Sequence, residues 1–224
     1  MLNIILTSYN RPNLIRRTIE SLKAQTRGDW FCTVLDDNST GATLEAIYAA
    51  IGDDPHFEVI EHATTDEQRA NTTRYACLIN EILPTLDGGI VGFLCDNVEY
   101  HPDLVGDVLD YFEHHPDVFG GYVLHLRDVW KRDGLDGSTY LGNATQYGHW
   151  DVTPPSLGVF DGNVRGYFDH SQVFHRLPCA LRWNEDTAVK TYGDGDYFNR
   201  LVETHGPLYP INNDAIRTME HLLK

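Results

Sequence analysis

A chain of 224 residues lies within the range of one large domain, and 42% hydrophobic with 22% charged residues is the composition of a globular protein. Lys and Arg total 17 against 33 Asp and Glu, a formal charge of −16. That field repels nucleic acid and anionic lipid at long range but leaves room for a local basic pocket, for which Arg11, Arg16, Arg17, Arg69 and Arg74 are all at hand in the first third of the chain.

The first element is a β-branched, apolar strand, Leu2–Thr7, entered directly from Met1. With no basic leader, no cleavage site and no apolar run near the roughly 18 residues of a membrane span, the sequence predicts a mature, cytoplasmic chain. Asn10-Arg11-Pro12 breaks the strand and opens a helix carrying Leu14, Ile15, Ile19 and Leu22 as far as Gln25. Trp30–Leu35 (strand), Thr43–Ile51 (helix), Phe57–Ile60 (strand), Ala70–Leu83 (helix), Ile90–Leu94 (strand), Asp103–His114 (helix) and Val118–Leu126 (strand) follow. Residues Arg127–Gly166, rich in Gly, Asp, Asn and Thr, read as irregular and functional. A helix near Asp194, a strand at Leu208–Ile211 and a helix or tail at Asp214–Leu223 close the chain. The four cysteines form no C-x-x-C pair and read as reduced, mostly buried thiols.

Alternation of strands and helices predicts an α/β fold, a mostly parallel central sheet with helices on both faces. Ligands of such sheets bind beyond the carboxyl ends of the strands. That rule selects three loops, Thr7–Arg11, Asp36–Ser39 and Cys95–Glu99. Asp96 either forms an Asx turn or holds a cation. Asp37 either caps the following helix, unless Asn38 or Ser39 does so, or faces a ligand. Arg69 and Arg74 are surface charges or pocket residues. Asp194, between two glycines, is a helix-start carboxylate or a general base, with Asp196 as rival. The spacing His170-x4-His175-x3-Cys179 matches no usual structural zinc pattern.

Thr7-Ser8-Tyr9-Asn10-Arg11, Leu35-Asp36-Asp37-Asn38-Ser39-Thr40 and Leu94-Cys95-Asp96-Asn97 followed by Pro102-Asp103 together resemble the family 2 glycosyltransferases of GT-A fold, including those that build spore-coat polysaccharide. The resemblance extends to Thr73–Asn80, to Asp169-His170-Ser171-x-Val173-x-His175-Arg176 and to Gly193-Asp194 with Tyr197-Phe198, and covers residues 1 to about 210. It implies a single GT-A domain with a Rossmann-like sheet, residues 1–100 as the nucleotide-binding half and 101–224 as the acceptor-binding half with a tail. It implies that Thr7, Tyr9, Asp37 and Arg69 surround the base and ribose of a nucleoside-diphosphate sugar, with Arg11 and Asp96 completing the nucleotide site. Asp96 would hold Mn2+ or Mg2+ on the diphosphate, and Asp194 would be the base of an inverting transfer. The family usually carries an acid where this chain has Cys95, and the spacing from Asp96 to Pro102 is one residue longer.

The expected partners are a UDP- or dTDP-sugar donor and an acceptor hydroxyl on a saccharide, protein, metabolite or modified base, with a homodimer allowed. Residues 127–166 are expected to form an acceptor-side flap, and a late histidine, His221, to be available to the metal. Cys95 motivates an alternative: a nucleotide-sugar-binding protein of the same fold with weak or no catalysis.

Overall fold

The computed structural model describes residues 1–132, 138–143, 169–189, 193–218 and 222–223. Its first half follows the hydrophobic pattern closely: β1 (Leu2–Ser8), α1 (Pro12–Lys23), β2 (Trp30–Asp36), α2 (Gly41–Ile51), β3 (Phe57–Glu61), α3 (Asp66–Asn71), α4 (Arg74–Ile82) and β4 (Ile90–Cys95). A three-residue β5 (Val98–Tyr100) and α5 (Leu104–His114) come next. Then follow β6 (Gly120–Arg132), β7 (Ser138–Asn143), β8 (Val173–Arg176), α6 (Gly193–His205), β9 (Leu208–Thr218) and β10 (Leu222–Leu223).

Among the described residues the strands join in the order β3-β2-β1-β4-β8-β6-β9-β5, with β7 and β10 paired to β6. The first four are parallel, β8 runs antiparallel to β4 and β6, and β5 runs antiparallel to β9. Alternation along β1 divides the core. Leu2, Ile4 and Leu6 pack with α1, α2 and α5 on one face, whereas Ile5 packs with Ala76, Leu78 and Ile79 of α4 and with Tyr197, Phe198 and Leu201 of α6 on the other. Both sheet faces are thus covered by helices, as the alternation of elements requires.

Three expectations are corrected. The single helix over Ala70–Leu83 is two helices, broken at Thr72-Thr73. These β-branched residues take extended backbone, and Thr73 donates two bonds to the 185–186 segment: its N–H to the Glu185 carbonyl at 2.8 Å and its hydroxyl to the Asp186 carbonyl at 2.9 Å. The start of the Arg127–Gly166 stretch is regular, because β6 runs to Arg132 and β7 pairs with it; the rest of that stretch lies outside the described residues. The expected helix or tail at Asp214–Leu223 is instead strand as far as Thr218, where β9 lies between β6 and β5 and takes its ladder partners from both. His221 lies outside the described residues.

Candidate active site

The register levels the strand ends. Ser8 of β1 pairs with Asp36 of β2, and Thr7 pairs with Cys95 of β4, so the three following loops emerge side by side. Strand order reverses between β1 and β4, with β2 on one side and β8 on the other. This is the switch point at which open α/β sheets bind ligands. Asn10 and Asn38 adopt positive φ (52° and 61°), which asparagine tolerates; Asn10 ties the first loop to the second, and Asn38 ties the second to the segment after β3. Asn10 Oδ1 accepts from the Thr40 N–H at 2.8 Å, and the Asn38 amide donates to the Thr64 carbonyl at 2.8 Å.

A cleft of about 640 Å³ opens there, lined by Thr7, Ser8, Tyr9, Asn10, Arg11, Asp37, Arg69, Arg74, Tyr75, Leu78, Cys95, Asp96 and His170. Every residue expected to bind nucleotide therefore meets in one cavity. Asp37 does not cap α2, whose N-cap is Thr40 without a side-chain bond, so neither Asn38 nor Ser39 serves as that cap. Instead its buried carboxylate is the hub of a cationic cluster. Arg69 Nη1 and Arg74 Nε (3.1 Å) pair with it, Thr64 Oγ1 donates to it at 2.5 Å, and Arg69 Nη2 donates to its backbone carbonyl at 2.7 Å. The Arg69 guanidinium also lies 3.8 Å over the Tyr9 ring. A capping box between Thr65 and Gln68 starts the short helix that carries Arg69.

Asp96 lies in the two-residue turn between β4 and β5, but its carboxylate reaches across the cleft: one oxygen accepts from the Tyr9 N–H at 3.0 Å and the other from Arg11 Nη1 at 3.1 Å. Burial pushes its pKa above the usual carboxylate range, with Arg11 pulling the other way. The remaining members of the expected basic pocket are elsewhere. Arg16 pairs with Glu20 at 3.9 Å along α1, and Arg17 pairs with Glu99 at 2.8 Å.

Asp194 stands in the first turn of α6, behind two lining residues that sequence reasoning did not assign. The Tyr75 hydroxyl donates to Asp194 Oδ1 at 3.3 Å, and His170 Nδ1 lies 3.7 Å from Oδ2. Tyr75 and His170 stack on each other with ring centroids 5.7 Å apart. The rival, Asp196, is held by Arg200 at 2.8 Å one helical turn on. His170 Nε2 lies 3.0 Å from Cys95 Sγ. Burial lowers the His170 pKa, but Cys95, Asp194 and Asp169 outweigh it and raise the group well above its ordinary value. The His170-His175-Cys179 spacing does not gather. His175 is fully buried between the Arg176 carbonyl (2.9 Å) and the Tyr197 hydroxyl (3.1 Å), and His170 turns to Cys95 and Asp169. The signal for these partners was present in the Asp169-His170 pair, but nothing local joins it to a cysteine 75 residues away.

The sequence model of Glycosyl transferase family 2 matches residues 3–171. Protein CgeD of Bacillus subtilis (strain 168) is 29% identical over 222 residues, covering 94% of this chain and 48% of its own, so the chain spans about half the length of that relative. S. aureus TarS 1–349 in complex with UDP-GlcNAc superimposes with a TM-score of 0.65 at 15% identity, over 100% of this chain and 59% of that one. The same protein in complex with UDP gives 0.63 at 14%, over 97% and 60%. With the family match running from β1 through all three strand-end loops to Ser171, the chain belongs to glycosyl transferase family 2.

Proposed function

We propose that this chain is an inverting glycosyltransferase that moves a sugar from a UDP- or dTDP-type donor to an acceptor hydroxyl. In this reading Asp96 holds a divalent cation, Asp194 is the base, residues 1–100 form the nucleotide half and residues 101–224 the acceptor half. The observation that carries the reading is one cleft at the switch point in which a cation-bound Asp37, an exposed Tyr9, Arg11 and Asp96 line a cavity with Asp194 directly behind its wall.

Each residue has a role that its surroundings allow. Tyr9 is 41% exposed and offers ring surface for a base. Asp37 accepts three side-chain hydrogen bonds on two oxygens, leaving one lone pair of four for an imide N–H. Arg69, steadied by Asp37, borders the same space, and Thr7 closes the floor at the end of β1. Arg11 supplies positive charge beside the expected diphosphate position. Asp96 fits a hard cation: its oxygens carry one hydrogen bond each, so each keeps a lone pair, and such ions accept one or two carboxylates plus substrate oxygens. A bound Mn2+ or Mg2+ would supply neutralisation of the charge developing on the leaving diphosphate. Asp194 keeps acceptor capacity beyond Tyr75, benefits from the α6 N-terminus, and takes the hydroxyl proton when the acceptor comes within about 3 Å. With Nδ1 3.7 Å from Asp194 Oδ2, the His170 imidazole lies beside the base.

Calorimetric titration of UDP with and without Mn2+, paired with turnover on a donor panel, tests this. Asp194→Asn should abolish transfer and keep UDP binding, whereas Asp96→Ala should lose both Mn2+-dependent binding and transfer. Full turnover by Asp194→Asn removes the base assignment. The Cys95–His170 contact, standing where the family has an acid, supports one alternative, a nucleotide-sugar-binding protein without catalysis. UDP binding with no transfer or hydrolysis on any donor favours that alternative.

A further inference from the structure

A second donor set, of different chemistry from the carboxylate of Asp96, adjoins the cleft, to whose lining it contributes Cys95 and His170. Cys95, Asp169 and His170 each present a ligand atom within 4.8 Å of the other two. The set is built rather than incidental. The Cys95 N–H donates to Ser171 Oγ at 3.3 Å, which fastens the end of β4 to the short 3-10 turn His170–Gln172. Asp169 caps that turn through the Ser171 N–H at 3.1 Å, with Gln172 returning a bond to the Asp169 N–H at 2.9 Å. The imidazole is oriented at both nitrogens, Nε2 toward Cys95 Sγ at 3.0 Å and Nδ1 toward Asp194 at 3.7 Å.

Thiolate, imidazole and carboxylate together select borderline-soft cations, whereas Mg2+ and Mn2+ prefer oxygen. A tetrahedral cation with a metal–sulfur bond of about 2.3 Å and a metal–nitrogen bond of about 2.0 Å separates the two donor atoms by roughly 3.5 Å. A retreat of about half an ångström by the His170 ring reaches that value from the present geometry. A ligating histidine almost always gives its other N–H to a carboxylate, a backbone carbonyl or a water, and Asp194 Oδ2 lies 3.7 Å from Nδ1. We propose that Cys95, His170 and Asp169 bind one thiophilic divalent cation of the zinc class, with Asp194 as the outer partner of the histidine. Binding of the cation does not depend on Asp194 being the base.

The test is titration of the full chain with Co2+ in the absence of nucleotide, read by the sulfur-to-cobalt charge-transfer absorption. One equivalent should bind, Zn2+ should displace it, and excess Mn2+ should not. Cys95→Ser should abolish the band and Cys77→Ser should retain it. Asp194→Asn should weaken binding about 10–100-fold, and Asp169→Asn, which keeps the oxygen that caps the turn, should weaken it at least as much. A band that survives Cys95→Ser, or an affinity unchanged in Asp169→Asn, overturns the site. If Cys95→Ser fails to fold, the Asp169→Asn and Asp194→Asn affinities decide alone. Normal Co2+ binding in a chain that transfers no sugar removes the catalytic reading instead.

Discussion

Replacing Asp37 by Ala should cost this protein both stability and nucleotide. The carboxylate is 5% exposed and is the shared counter-charge of two guanidiniums, Arg69 and Arg74, which are 24% and 14% exposed. Removing one partner of a buried ion pair costs about 3–5 kcal/mol, because the remaining charge is left without compensation. Here both arginines reach some water, which recovers part of the loss, so the lower end of about 3 kcal/mol applies. For a chain of this size each kcal/mol moves Tm by about 2–4 °C, giving a fall of roughly 6–12 °C. Asp37→Asn keeps one acceptor oxygen and should lose about half as much. The binding effect is separate. Arg69 lies over Tyr9 because Asp37 holds it there, so UDP affinity should fall at least about tenfold, equivalent to about 1.4 kcal/mol. Thermal unfolding and UDP calorimetry on the two variants measure both effects. A Tm for Asp37→Ala within about 2 °C of wild type refutes the ion-pair argument. A large fall in Tm with unchanged UDP affinity refutes the link from Asp37 through Arg69 to the base.

Gly193→Ala should impair transfer while sparing UDP affinity. A Cβ there collides with the Tyr75 hydroxyl and comes within 3.3 Å of Cζ, and the ring is confined by His170 and Trp183. The expected cost is about 1–3 kcal/mol of overpacking together with the lost Tyr75–Asp194 bond, read as a lower turnover rate at unchanged UDP Kd. Stability should fall as pH drops from about 6.5 toward 4. Burial holds the His175 pKa down to about 4, with Nδ1–H on the Arg176 carbonyl and Nε2 accepting from Tyr197. Only the unfolded chain takes the proton in that window, a loss of roughly 3 kcal/mol. Urea unfolding across this range should be steeper for wild type than for His175→Gln, and equal slopes exclude His175 as the cause. Asn80→Ala should destabilise by about 3 kcal/mol, because the buried amide bonds both the N–H (2.7 Å) and the carbonyl (2.8 Å) of Trp183. Since Trp183 stacks on Tyr197 and meets the edge of Tyr75, turnover should fall with it, and a Tm within about 2 °C of wild type would contradict the assignment.

The sequence by itself determined the parallel half of the sheet and the loops that matter. Strands such as Leu2–Ser8 and Ile90–Cys95 are buried on both faces and so read as continuous apolar runs, and helices such as α1 keep their apolar residues at helical spacing. These are short-range periods set by the geometry of a single element, so Asp37 and Asp96 could be located at strand ends before any contact was known. Only the tertiary structure decided what those acids face. The Arg69 and Arg74 pairing on Asp37 spans more than 30 residues, the Tyr9 and Arg11 bonds to Asp96 more than 80, and the Tyr75 bond to Asp194 119. The C-terminal segment followed the same logic: the mostly polar stretch 212–218 carries no strand period, yet the ladder partners offered by β6 and β5 make a strand of it. Long-range pairing is a matter of which edges and charges remain unsatisfied once the core has formed, and no window along the chain contains both halves of that balance.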